Sequence, residues 1–136
     1  MMGLPRSGKS TLAAKLREKG VPTVNGDSVR LALHGQRFVQ EAEQMVHAIN
    51  KIMVRALFIA GHDVVCVDET NIRRSIRDGW KKGDWATAFW DVGTPKEVCL
   101  ERARAANDDV IQPVIERMAS QFEPLGDDEQ RFSPDA

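Results

Sequence analysis

Apolar residues along this chain switch between helical and extended spacing. Leu12, Ala13 and Leu16 recur at helical intervals and Gly20 follows, which predicts a first helix over Lys9–Lys19. Val21–Asn25 reads as a short strand and Val29–Leu33 as a short helix after Asp27. The longest helical pattern covers Glu41–Ala60, where Ala42, Met45, Ile49, Ile52, Met53, Ala56 and Ile59 step by three or four before Gly61. Val64-Val65-Cys66-Val67 is a continuous, mostly β-branched run, which predicts a strand buried on both faces. Arg73–Lys82 then reads as a helix and Trp85–Val92 as a strand. Thr94-Pro95-Lys96-Glu97 is a helix start, with Thr as cap, Pro in the first turn and Glu at the capping-box position. That helix runs to about Ala106, and Val114–Phe122 forms a last one. Helix and strand in alternation predict an α/β domain with a short parallel sheet and helices on both faces.

Composition narrows this little. A chain of 136 residues fits one domain with a real core. Net charge is −1, so no global basic field marks a nucleic-acid binder. Cys66 and Cys99 each lie in an apolar run, as buried hydrophobes do in a reducing cytosol. No run approaches the roughly 18 apolar residues that a membrane span requires, and no leader precedes Gly3, so a cytoplasmic location is expected. From Pro124 the chain is acidic and lacks an apolar run, which predicts a domain over residues 1–124 and a loosely ordered tail over 125–136.

Chemistry enters at the start. Gly3-Leu4-Pro5-Arg6-Ser7-Gly8-Lys9-Ser10 matches G-x-x-x-x-G-K-[ST], and the first helix follows through Thr11. Glycines allow the tight turn that aims several N–H groups at one anion, and the helix N-terminus adds partial positive charge. Lys9 is suited to the β- and γ-phosphates of ATP, and the Ser10 hydroxyl to the Mg²⁺ shell. Only Met1 and Met2 precede Gly3, where a P-loop normally follows a strand of about five residues, so either the first strand is a stub or the chain start is shortened relative to the working protein. Val64–Asp68 is four apolar residues and then an acid, the pattern of a second Mg²⁺-binding motif in P-loop NTPases. Asp68 is then a candidate metal ligand, with Glu69 beside it. Asp27, after the second strand, is placed either as helix N-cap or as the carboxylate that accepts a nucleophile's proton; Arg30 is one turn on.

Taken in order, Gly3–Thr11, Asp27-Ser28-Val29-Arg30, Val67-Asp68-Glu69-Thr70-Asn71, Pro95–Arg104 and Pro113–Pro124 resemble the kinase domain of bacteriophage-type polynucleotide 5′-kinases and the related zeta-toxin-like group. The resemblance implies a P-loop kinase that moves the ATP γ-phosphate to a nucleic-acid hydroxyl, with Asp27 as general base. It implies that Arg30 contacts the acceptor or the transferring group, and that Asp68, Glu69, Thr70 and Asn71 line the acceptor side. That family presents a pair of lid arginines four apart. Here Arg102 matches the first, Ala106 fills the second position, and Arg104 lies two residues after Arg102.

Other readings stand beside this one. Within phage chemistry the acceptor is a hydroxymethylated base such as 5-hydroxymethyluracil, with action in the host cytoplasm. Outside it, the chain is a small-molecule kinase of a nucleoside or sugar, or a nucleotide-binding switch module without catalysis. Arg73, Arg77 and Lys81 step by four, a basic stripe suited either to a nucleic-acid backbone or to solvent; Arg73 is thereby a candidate substrate contact. Trp80, Trp85 and Trp90 are candidates for base stacking or, for at least two of them, packing.

Overall fold

The computed structural model describes residues 1–35 and 37–134. Its elements in chain order are α1 (Lys9–Glu18), β1 (Thr23–Asn25), α2 (Gly26–His34), a 3₁₀ turn (Gln40–Ala42), α3 (Glu43–Ile59), β2 (Cys66–Asp68), α4 (Arg74–Lys81), α5 (Lys96–Ala105) and α6 (Ile111–Gln121). The fold is α/β, of the P-loop kinase type, with β1 and β2 paired in parallel as Thr23–Cys66, Val24–Val67 and Asn25–Asp68. The chain divides into two compact units, Ser10–Glu69 and Met1–Lys9 with Thr70–Ala136.

In the unit Ser10–Glu69, α2 begins earlier than its apolar residues suggest. Asn25 caps it: its side chain accepts the Ser28 N–H at 3.2 Å. Asp27 is therefore not the cap, and falls within the first turn. The long helix loses its first turn to the 3₁₀ segment and buries a different stripe from the expected one. Val46, Asn50 and Val54 are buried, while Met45, Ile52, Met53 and Ile59 are exposed. Its inner stripe thus carries a polar residue at its centre. The run Val64–Val67 is likewise not buried throughout. Val64 is exposed, and in β2 burial alternates, with Cys66 and Asp68 inside. One face of β2 is covered more fully than the other, so period-2 alternation replaces full burial.

In the other unit the first strand is indeed a stub. Met2 makes one parallel bridge to Asp91, donating to the Trp90 carbonyl at 2.8 Å and accepting from Val92 N–H at 3.0 Å. Asn71 Nδ2 donates to the Met1 carbonyl at 2.8 Å, and Gly3 N–H to the Thr70 carbonyl at 2.9 Å. The expected strand Trp85–Val92 is reduced to bridges at Phe89 and Asp91. Leu4, Cys99, Leu100, Ala103 and Ile115 form one core cluster, and Met2, Phe89 and Leu125 another. Pro113 fits within the first turn of α6, where its missing N–H costs nothing.

Residues 125–134 correct the expectation of a loose tail. Leu125 and Glu129 are buried, and Phe89 N–H and Phe132 N–H bond to the carbonyls of Gln130 and Phe89 at 2.9 and 2.8 Å. The segment is held by one buried charge and one bridge rather than by an apolar run, so hydropathy does not reveal it. Residues 135 and 136 of the predicted tail lie outside the described residues. The basic stripe is corrected too. Arg77 is fully buried against Glu129, with Nε at 2.9 Å and Nη2 at 3.0 Å, and Lys81 bonds Glu129 at 2.8 Å. Arg73 alone of the three is exposed. The tryptophans pack: Trp80 is buried, Trp85 donates to its carbonyl at 2.8 Å, and Trp90 lies 5.6 Å from the Phe132 ring. Among the described residues no helix is long and apolar enough to cross a membrane.

Candidate functional site

The phosphate-loop motif turns through two left-handed residues, Arg6 at φ 65 and Gly8 at φ 101. Only the second is the glycine that such a backbone favours. Side chains fix the loop's carbonyls. Lys9 Nζ donates to the Leu4 carbonyl at 2.7 Å and lies 3.3 Å from Ser7 Oγ. Arg102 Nη1 donates to the Arg6 carbonyl at 3.1 Å, and Thr94 Oγ1 to the Ser7 carbonyl at 2.7 Å. Thr94 thus braces the loop and does not cap α5; that helix has Pro95 at its cap position and no side-chain cap. Gly3 is needed for a close approach, since a Cβ there would lie 2.9 Å from Ser7 Oγ. Lys9 opens α1, whose first N–H groups have no intrahelical acceptor and carry the positive end of the helix. Of the lid arginines, Arg102 touches the loop; Arg104 is exposed and has no comparable contact.

The unit Ser10–Glu69 gathers the acids. Ser10 Oγ donates to Asp68 Oδ2 at 2.8 Å, and Asn25 Nδ2 donates to the same oxygen at 3.1 Å. A hydroxyl and a carboxylate in contact form a hard oxygen donor set that suits Mg²⁺, which takes one or two protein ligands and completes its shell with water and phosphate. No cluster of three or more His, Cys, Asp or Glu at metal-binding spacing occurs among the described residues. The candidate metal residues Ser10 and Asp68 are thus in contact.

Beside them lies a cluster around Arg30. Its guanidinium donates to Glu43 through Nε at 2.9 Å and Nη2 at 2.8 Å, and to Asp27 through Nη1 at 3.0 Å; Nη2 is 3.5 Å from Glu69. Burial works against the charged guanidinium, but the Glu43 hydrogen bond and the fields of Glu69, Glu43 and Asp27 hold its pKa above the ordinary value. Glu69 is pushed up to about 7, chiefly by burial, with Asp27 and Glu43 adding to the effect and Arg30 and Asn50 opposing it. Asn50 Nδ2 donates to Glu69 Oε1 at 3.1 Å. Gly26 makes room for this carboxyl, because a Cβ at residue 26 would lie 1.6 Å from Oε1. Asp27 is the member that faces outward, its side chain 64% exposed. A cavity of about 530 Å³ opens in the same unit, lined by Ser10, Asn25, Ser28 and Asp68 with Val29 and Ile49 among its apolar walls.

Two residues expected on the acceptor side also make contacts with the start of the chain. Asn71 is buried at φ 46, with its amide committed to Met1, and Thr70 gives its carbonyl to Gly3. Both secure the strand stub. Arg73 precedes α4 and is exposed. Conversely, sequence reasoning missed Glu43, Asn50, Thr94 and Asp108. Asn50 had a signal, a lone amide inside a helical stripe of valines.

The phosphate loop on the first helix and the Ser10–Asp68 pair define a P-loop nucleotide-binding domain of the kinase type. The sequence matches the family model described as AAA domain over residues 1–125, and the chain belongs to that family. A gluconokinase from Sinorhizobium meliloti 1021 shares the fold, with a TM-score of 0.67 and 22% identity, covering 96% of this chain and 77% of that one. No curated protein is similar enough to count as a match.

Proposed function

We propose that this chain is an ATP-dependent kinase of a small polyhydroxylated molecule, a sugar or polyol in chemical class. The observation that carries the reading is the Arg30 cluster. One guanidinium is shared among Asp27, Glu43 and Glu69, so the surface offered to an acceptor has acidic groups in excess. Such a surface repels a polyanion and offers hydrogen-bond acceptors to hydroxyls. The burial of Arg77 removes the basic stripe that favoured a nucleic acid. A solved structure of the same fold is named a gluconokinase, which supports a small-molecule acceptor.

In this reading ATP phosphates lie on Gly3–Lys9, and Ser10 with Asp68 would hold Mg²⁺, which when bound offsets phosphate charge. The acceptor oxygen forms a bond to Pγ while the bond from Pγ to the β,γ-bridging oxygen breaks. The electron pair stays on ADP, and the acceptor's proton passes to the Asp27 carboxylate. Arg30 fixes that carboxylate and is a positioning residue. The test is transfer of label from γ-labelled ATP to neutral sugars and polyols, sugar acids, nucleosides, and oligonucleotides with a free 5′-hydroxyl. Label on a neutral sugar or polyol is expected. Label confined to oligonucleotides would overturn the reading.

A further inference from the structure

Arg6 occupies a left-handed position, φ 65, that side chains other than glycine avoid. A glycine would make the same turn without strain, as Gly8 does at φ 101, so the backbone does not require an arginine here. A strained residue in a ligand loop points to a use for its side chain. The carbonyl of Arg6 is fixed by Arg102. Its guanidinium donates through Nη2 to Asp108 Oδ2 at 3.0 Å. Asp108 is itself anchored, its other oxygen accepting the Ile111 N–H at 3.2 Å where α6 begins. The carboxylate is 12% exposed and the arginine 36%. A guanidinium has five N–H donors, more than one carboxylate oxygen can take, so the ion pair leaves capacity for another anion.

Resting on the nucleotide-binding reading above, we propose that Arg6 is a phosphate clamp whose guanidinium exchanges Asp108 for the phosphate chain of the bound nucleotide. Asp108 is its counter-ion within the protein. The arginine is on the loop that meets the phosphates, and the local cations Lys9 and Arg102 favour the same ligand. The strained backbone keeps the side chain's root fixed, so the exchange requires only rotation about side-chain bonds.

The test compares Arg6→Ala, which keeps the strain and removes the guanidinium, with Arg6→Gly, which removes both, and with Asp108→Asn. The asparagine can still accept from Ile111, so α6 keeps its start. Affinities for ATP and ADP are measured by calorimetry with Mg²⁺, and melting temperature is recorded for each variant. Both Arg6 variants should lose ATP affinity by about 10–100-fold, the scale of a lost charge-assisted hydrogen bond. Asp108→Asn should bind ATP at least as tightly as the parent. A merely structural ion pair would instead lower the melting temperature of all three and leave affinity unchanged. Parent-like affinity in Arg6→Ala, or equal losses in Arg6→Ala and Asp108→Asn, would overturn the proposal. If the parent chain bound neither nucleotide, the nucleotide-binding reading would fall and the clamp with it.

Discussion

Arg30 and Arg77 are the two arginines buried among the described residues, one in each compact unit, and their surroundings differ in sign. Around Arg30 three carboxylates meet one cation, and one of them, Asp27, reaches solvent. Around Arg77 the acid is Glu129, which also meets Lys81 at 2.8 Å and Arg74 at 3.7 Å; neither Arg77 nor Glu129 has any exposed side-chain surface. The first arrangement has negative charge and hydrogen-bond capacity left over at the surface. In the second the acid and the arginine are both enclosed, and only the cations Arg74 and Lys81 reach solvent. Burial of an arginine therefore does not separate function from structure. What differs is the sign of the surplus and which member faces water, the Asp27 carboxylate in one and the Arg74 and Lys81 cations in the other.

The largest effect should come from opening the closed cluster. Glu129→Ala leaves Arg77 buried without a counter-ion and should cost about 3–5 kcal/mol of stability in denaturant unfolding. Replacing both partners with apolar residues, Arg77→Met with Glu129→Leu, should cost clearly less. Stability unchanged in Glu129→Ala would dissolve the contrast between the clusters.

Asp27→Asn should lower turnover by about 10²-fold, the scale of a lost general base, while the unfolding midpoint stays within error. The exposed side chain makes few packing contacts to lose. A drop in stability like that of Glu129→Ala would make the Arg30 cluster structural instead.

The two clusters should also titrate with opposite sign in Mg²⁺-free buffer. Glu69 is raised from its ordinary 4.5 to about 7, so between those values the folded state holds a proton that the unfolded chain has released. Stability should fall as pH rises through that window, and Glu69→Gln should flatten the slope. Glu129 is held below its ordinary value, most of all by the Arg77 hydrogen bond. Its contribution is present above the unfolded value and is lost only as pH falls through the folded one. Glu129→Gln should remove that acid limb and leave the Glu69 slope intact.

The smallest effect tests the space at Gly26. Gly26→Ala places a Cβ where Glu69 Oε1 now lies, and the carboxyl must swing aside. Acceptor KM should rise severalfold with little change in ATP KM, because the carboxyl is the movable end of a side chain. Equal changes in both constants would mean that Glu69 does not serve the acceptor.

Much of the site was legible in the sequence, and for stated reasons. The phosphate loop is local: one octapeptide and the helix after it carry their own geometry, so Lys9, Ser10 and the turn at Gly8 could be read directly. Asp68 followed from an apolar run that ends in an acid. Asp27 reads from the sequence as cap or base, and the cap is Asn25. The basic stripe misled because helical spacing shows which residues share a face and not what covers it; Glu129, 52 residues after Arg77, covers this one.

What the sequence alone determined is the set of features held by neighbours along the chain. These are the phosphate loop, the helices at their approximate positions, and an acid at the end of β2. Tertiary structure decided which side of each helix is buried and which charges meet. On α3 the larger apolar residues Met45 and Ile52 remain outside while Asn50 goes in, because Glu69 needs its amide. Arg30 draws its partners from residues 27, 43 and 69, and Arg6 its partner from residue 108. Such pairs depend on which side chains folding brings into contact and how far it strips them of water, and hydropathy along the chain carries no record of either.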